Sequence, residues 1–377
     1  MRRCLMIAAG IACGCMWGMQ PACCAGDGAP EHWRLQFDFE GDELPAGWYT
    51  TAGEAELSIA REPELVRKGR GALQLSYTPV TGKLALVGVK ELATGGLPRS
   101  LSFSLKTQEP TPVMFGVQEA DGSRYEGYCY SAGGRWYDIA TDLDELMLVT
   151  GCADENGRLD PCDIVSIMVT DLSNLPGEVG ESLGIKNGPQ RLWLDDVCIS
   201  TDLAPHRSSR TPEGNVIIDD LERDPPPCLP IGAPVLSITA DPDNSDRGAM
   251  RVDYSTGGYR WVGFVLGVGH LNLSGQTDLR LTVRADNQAR LTVVLEERDG
   301  SKYTAHASLD PGRGWYTLKL PLERFKLDTA TVDENAALDL DQIRVIIPVL
   351  DTKRAEVDEA GRGSYTISRI WCGRPEE

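Results

Sequence analysis

Residues 124–130 read Arg-Tyr-Glu-Gly-Tyr-Cys-Tyr, and their alternation decides what chemistry they can do. On an extended strand successive side chains point to opposite faces, so Arg124, Glu126, Tyr128 and Tyr130 share one face and Tyr125, Gly127 and Cys129 the other. The first set is polar and aromatic. Rings of this kind pack against the C–H faces of a sugar while polar side chains take its hydroxyls. With Gln118 from the preceding strand, this face is the candidate ligand surface of the first half of the chain. In the second half the equivalent positions are Lys302, Thr304, His306 and Ser308, with Thr292 and Glu296 opposite. His306 and Ser308 stand where the first half has Tyr128 and Tyr130, so the second surface has changed its ligand or lost it. Tyr259 and Trp261, on a neighbouring strand, are the candidates to replace those rings.

The carboxyl, phenol and guanidinium of Glu126, Tyr128, Tyr130 and Arg124 could in principle supply an acid, a base and a charge clamp. No other constellation supports catalysis. The histidines, His32, His206, His270 and His306, are scattered, and the chain contains no Ser/His/Asp elbow, His-Glu-x-x-His pair or phosphate-cradling glycine loop. Carboxylate pairs are too common in so acidic a chain to single out glycoside hydrolysis. The expectation is a non-catalytic protein.

The elements that must position these residues are written twice. Asp121-Gly122-Ser123-Arg124-Tyr125 recurs as Asp299-Gly300-Ser301-Lys302-Tyr303, each between an apolar-rich strand and an alternating one, the signature of a hairpin. Upstream, Gly71-Ala72-Leu73-Gln74-Leu75-Ser76-Tyr77 matches Gly248-Ala249-Met250-Arg251-Val252-Asp253-Tyr254; downstream, Trp136-Tyr137 matches Trp315-Tyr316. The copies open on Phe37-Asp38-Phe39-Glu40 and Asp219-Asp220-Leu221-Glu222, and close on Leu192-Trp193-Leu194-Asp195-Asp196-Val197 and Tyr365-Thr366-Ile367-Ser368-Arg369-Ile370. Short alternating segments punctuated by Gly, Pro, Asn and Asp, without long helical periodicity, predict an all-β fold of two tandem β-sandwich domains. The boundaries read as domain 1 over 30–200, a polar, proline-bearing linker over 201–214 and domain 2 over 215–374. Trp136, Trp193 and Trp315, inside apolar strands, are expected in the core.

Met1-Arg2-Arg3, an apolar run and the small residues Ala22-Cys23-Cys24-Ala25 have the layout of a secretory signal over residues 1–25, cleaved after Ala25. A lipoprotein signal at Cys15, Cys23 or Cys24 fits less well, since none has Leu three residues before it. The expected location is therefore secreted or periplasmic. The 37 Lys+Arg against 56 Asp+Glu, for a net charge of −19, set up a field that repels phosphate backbones and anionic lipid. Nucleic acid and membrane insertion are not expected. Cys129, Cys152, Cys162, Cys198, Cys228 and Cys372 remain beyond the signal, and Cys152 and Cys162, flanking a polar loop, form the best candidate bridge.

The opening Asp-Phe-Glu, the Gly-Ala-Leu-x-Leu-x-Tyr strand, the Gly-x-Trp-Tyr strand and the closing Leu-Asp-Asp-Val strand together resemble galactose-binding-like jelly rolls. They are most similar to carbohydrate-binding modules of the family-11 kind. The resemblance implies a jelly-roll topology for both domains and a polysaccharide or oligosaccharide on the concave sheet of domain 1. It also implies a structural calcium joining the chain ends to the Gly-Ala-Leu loop, with Asp38, Glu40 and Asp195 as carboxylates; in domain 2, Ser368 replaces the closing Asp, so no calcium is expected there. The alternative is a structural or protein-interaction role among envelope proteins, with a polysaccharide-active enzyme less favoured.

Overall fold

The structure, a computed structural model, describes residues 32–51, 54–93, 96–205, 209–211, 213–241 and 244–374. The signal segment and His206 lie outside these. The described chain divides into two compact units, the break falling between residues 207 and 208 apart from residues 181–184, which cluster with the second unit.

In the first unit one sheet runs β3 (Glu56–Ala60), β4 (Ala72–Tyr77), β12 (Gln190–Ser200), β6 (Ser100–Thr107) and β9 (Trp136–Asp142), with β1 (Arg34–Phe37) also on β12. The other runs β10 (Met147–Leu148), β8 (Arg124–Ser131), β7 (Thr111–Glu119), β11 (Ile164–Asp171), β5 (Ala85–Lys90) and β2 (Trp48–Thr50). Every strand pair is antiparallel. Alternation builds the core: Leu101, Leu105 and Leu73 from one sheet meet Val113, Val117 and Val87 from the other, all essentially without solvent exposure.

The second unit repeats this order strand for strand. Its first sheet runs β16 (Val235–Asp241), β17 (Asn244–Ser255), β25 (Arg362–Gly373), β19 (Asp278–Ala285) and β22 (Tyr316–Pro321), with β14 (Val216–Asp219) on β25 and β13 (Ser209–Arg210) added to β14. Its second runs β23 (Lys326–Leu327), β21 (Lys302–Leu309), β20 (Ala289–Glu297), β24 (Ile343–Asp351), β18 (Trp261–Gly267) and β15 (Cys228–Ile231). In each unit the opening strand pairs with the closing strand, and the chain crosses repeatedly between the two sheets. These are two jelly-roll sandwiches of the same topology. Among the described residues the single α-helix is α1 (Gly177–Leu183), and no helix is long and apolar enough to cross a membrane.

Both Asp-Gly turns form. Gly122 and Gly300 sit at φ 95° and 90°, a region open to glycine and costly for other residues. At one end of the first sandwich a buried polar network joins the sheets. The Tyr77 hydroxyl on β4 donates to Asp171 Oδ2 on β11, and Lys186 Nζ donates to the same oxygen at 3.0 Å and to Thr111 Oγ1 at 2.6 Å.

Two expectations change. Trp193 is buried, its Nε1 donating to Gln74 Oε1 at 2.8 Å, but Trp136 and Trp315 are only half-buried. Trp136 lies on the edge strand β9, and the inward position belongs to its neighbour Tyr137. No disulfide joins Cys152 to Cys162; the Cys152 sulfur accepts a hydrogen bond from Arg124 Nη2 at 3.5 Å.

Candidate functional site

On β8, Tyr125 and Cys129 enter the core while Arg124, Glu126, Tyr128 and Tyr130 take the opposite face. Register extends that face across the sheet. Glu126 stands opposite Gly116, Gly116 opposite Met168, Met168 opposite Gly88, and Gly88 opposite Tyr49. A parallel row runs Arg124, Gln118, Ser166 and Lys90. A Cβ built on Gly88 would lie 3.1 Å from the Tyr49 ring, so that ring lies directly beside the glycine. The Lys90 ammonium sits 5.1 Å from the centre of the same ring, within cation–π range.

Exposure divides the candidates. Arg124 and Gln118 are half-buried, as is Tyr49, and Lys90 is exposed. Glu126, Tyr128 and Tyr130 retain only 6%, 7% and 7% of their surface, and the Tyr128 hydroxyl donates to Glu126 Oε1. A ring this covered cannot offer its face to a sugar without rearrangement. Tyr49 and Lys90 carry no repeat or motif signal; only strand order brings them to this face.

In the second unit Glu296 lies opposite Lys302, with Nζ 3.2 Å from its carboxylate, and Thr292 Oγ1 lies 2.9 Å from His306 Nδ1. Burial raises the Glu296 carboxyl above its ordinary range against the pull of Lys302, and desolvation lowers the His306 imidazole. Next to Thr292 and Glu296 on this face come Val349 and Val345 of β24, so the face is more apolar than its counterpart. Trp261, opposite Asp351, is half-buried beneath the Arg260 guanidinium at 5.1 Å. Tyr259, two residues earlier, is half-buried, and its carbonyl accepts from Thr352 Oγ1 at 3.0 Å. Among the described residues the second unit has no counterpart to Tyr49 beside Gly88.

A second constellation, absent from the sequence expectations, occurs in both units. Carboxylate oxygens of Glu119, Asp121 and Asp154 lie within 4.8 Å of one another, as do those of Glu297, Asp299 and Asp333. Glu119 accepts from Ser123 Oγ and from the Asp160 amide, and the Tyr125 hydroxyl donates to Asp154. In the other copy Glu297 accepts from Ser301 Oγ at 2.5 Å and from the Asp339 amide at 2.5 Å, and Tyr303 donates to Asp333. Asn156 and Asn335 each donate from Nδ2 to Asp160 and Asp339, both at 2.8 Å. The left-handed position of the loop is Gly157 at φ 66° in one copy and Ala336 at φ 52° in the other. Burial, reinforced by the neighbouring aspartates, raises both the Glu119 and the Glu297 carboxyl, against their hydrogen bonds. Either cluster could hold a cation. The signal was readable, since Asp-Glu-Asn-x-x-Leu-Asp occurs at 154–160 and 333–339.

The chain-end carboxylates are placed differently. Both Glu40 oxygens accept from the Arg70 amide, at 2.8 and 3.0 Å. Asp195 Oδ2 accepts from the Arg67 and Lys68 amides at 3.1 and 3.0 Å, Oδ1 accepts from the Asp196 amide at 2.8 Å, and Asp38 Oδ1 accepts from the Glu40 amide at 3.3 Å. Lys68 Nζ meets Asp196 at 2.5 Å and Arg67 meets Asp138 at 2.7 Å. Asp38, Glu40 and Asp195 accept N–H donors among basic side chains, and, unlike the two loop clusters, their oxygens are not brought together within 4.8 Å of one another. They do not fit a calcium ion.

No family model and no curated protein matches the chain. Among solved structures it is similar to the family 11 carbohydrate-binding module of a cellulosomal cellulase from Clostridium thermocellum, at 16% identity over 44% of this chain and 98% of that one, with a TM-score of 0.35. It is also similar to the tandem CBM22-1–CBM22-2 domain of Xyn10C from Paenibacillus barcinonensis, at 11% identity over 91% and 97%, with a TM-score of 0.32. An exo-β-agarase matches at 14% identity over 45% of this chain and 25% of its own, with a TM-score of 0.34. These are distant likenesses, and the jelly-roll assignment of each unit stands on its own strand order.

Proposed function

We propose that this chain is an exported, non-catalytic carbohydrate-binding protein in which the concave sheet of the first unit contacts a neutral glycan. One observation carries the reading: strand register brings the half-buried Arg124, Gln118 and Tyr49 and the exposed Lys90 to one face of the sheet, a ring beside polar groups. An aromatic ring beside polar groups is what a hydroxyl-bearing ligand needs. Arg124, Gln118 and Lys90 supply donors, and the net charge of −19 disfavours anionic polymers. The signal-like layout of residues 1–25 supports a secreted or periplasmic location. The all-oxygen donor sets of Glu119, Asp121 and Asp154, and of their counterparts, suit calcium over softer metals.

Affinity electrophoresis through gels containing neutral polysaccharides tests this. The wild type is expected to be retarded, Tyr49→Ala and Arg124→Ala to lose most of the retardation, and Tyr128→Ala to lose it only as far as the sheet is disturbed. A wild type that runs freely through every polymer sinks the proposal.

The covering of Glu126, Tyr128 and Tyr130 favours a second reading, a structural or protein-interaction module among envelope proteins. Turnover of a chromogenic polysaccharide, abolished by Glu126→Gln, would instead establish an enzyme.

A further inference from the structure

The turn that opens the first unit already holds a cation of its own. Arg61 Nη1 donates to the carbonyls of Phe39 at 3.5 Å and Arg70 at 3.2 Å, and Nη2 donates to the carbonyl of Gly41. The carboxylate of Asp42 stands 3.9 Å from the same group. Convergent backbone carbonyls beside carboxylates form the kind of oxygen set that a hard cation takes, and here a side chain has taken it. We propose that the Arg61 guanidinium replaces a structural metal ion, tying the opening turn at residues 39–41 to the turn at 67–71.

Three features support this. A planar guanidinium presents five N–H donors in a fixed fork and can serve several carbonyls at once. Room for it depends on Gly71, where a Cβ would lie 2.5 Å from Arg61 Nη1 and closer still to the Phe39 carbonyl. Four cationic side chains, Arg61, Arg67, Lys68 and Arg70, already stand among the carboxylates Asp38, Glu40, Asp42, Asp138, Asp195 and Asp196. A metal ion taking these carboxylates would have to compete with the amide donors on Glu40 and Asp195. Phe39 itself sits at φ 55°, a costly conformation for an L residue, so the bond to its carbonyl helps to hold a strained turn.

The test uses the full chain with Asp121→Asn and Asp299→Asn in the background, so that the duplicated clusters do not contribute. Bound calcium is measured by titration calorimetry, and the Tm of the first unit with excess calcium or with EGTA. With Arg61 present, calcium should change neither measurement, and adding Glu40→Gln should leave calcium binding unaltered. Arg61→Ala should lower Tm by about 3–12 °C in EGTA, the loss of one charge-assisted bond, and calcium should restore part of it. Arg61→Lys, which keeps the charge with fewer donors, should fall between and serves if the alanine variant does not fold. A calcium-binding event in the Arg61 protein that disappears with Glu40→Gln would overturn the proposal. So would an unchanged Tm in Arg61→Ala, or a loss that calcium does not reduce.

Discussion

Replacing Lys186 by Met tests whether the buried network at the end of the first sandwich holds its sheets together. The Lys186 and Asp171 side chains are 6% and 2% exposed, with Nζ 3.0 Å from Oδ2. Removing one partner of such a pair typically costs 3–5 kcal/mol, because the other charge is left buried without compensation. Asp171 would keep the Tyr77 hydroxyl on Oδ2 and the Ser173 amide at 2.7 Å on Oδ1. Those two donors place Lys186→Met at the low end, about 3 kcal/mol. Lys186 is also held through its backbone by Asn174, at 2.8 and 2.9 Å, so the loop should stay in place and the loss should be electrostatic. At about 2–4 °C per kcal/mol for a domain of this size, Tm should fall by about 6–12 °C. Adding Asp171→Asn removes the orphaned charge, and the double variant should recover about 2 kcal/mol relative to the sum of the singles. Urea unfolding and calorimetry of the full chain, following the transition that moves, give both numbers. A single-variant cost below about 1 kcal/mol, or singles that simply add, would refute the argument.

Two further outcomes follow from the same geometry. Calcium at a hundred times its Kd should add about 2.7 kcal/mol to each unit whose loop cluster binds it, and Asp121→Asn with Asp299→Asn should abolish the gain in thermal-shift measurements; a wild type indifferent to calcium and EGTA would show that the clusters serve only as hydrogen-bond hubs. His270 is lowered to about 4 by burial and by Arg223, so the unfolded chain takes up a proton that the folded one refuses. Stability of the second unit is then fully present above the unfolded pKa of about 6.5 and is lost as pH falls toward 4, by at most about 3 kcal/mol. His270→Gln should flatten the Tm profile over that window; an equally steep profile in the variant would refute it.

The duplication and the sandwich class were legible because hairpin turns and strand alternation are local. Asp121-Gly122 and Asp299-Gly300 declare themselves wherever they occur, and the inward and outward faces of β8 follow from alternation alone. What covers a face is not local. Tyr128 and Tyr130 lie on the expected face, yet their burial depends on elements that alternation does not locate, and Tyr49 joins the row only through the position of β2 beyond β5. Trp136 and Trp315 have an apolar neighbourhood in sequence, but an edge position does not bury them. The approach of Glu40 and Asp195 to the 67–71 turn is likewise long-range. The Arg67, Lys68 and Arg70 amides reach Asp195 and Glu40, and Arg61 reaches the nearby carbonyls, only through the folded arrangement of distant segments.

The matched loops at 154–160 and 333–339 make the protein its own control. Whatever the solvent does to one cluster it does to the other in the same tube, so a substitution in one copy can be read against an untouched twin. The difference between Gly157 and Ala336 is such a substitution already in place. Both hold the left-handed turn, although alanine there costs on the order of 1 kcal/mol. The retained hydrogen-bond geometry is therefore worth more to the second loop than the backbone preference it overrides.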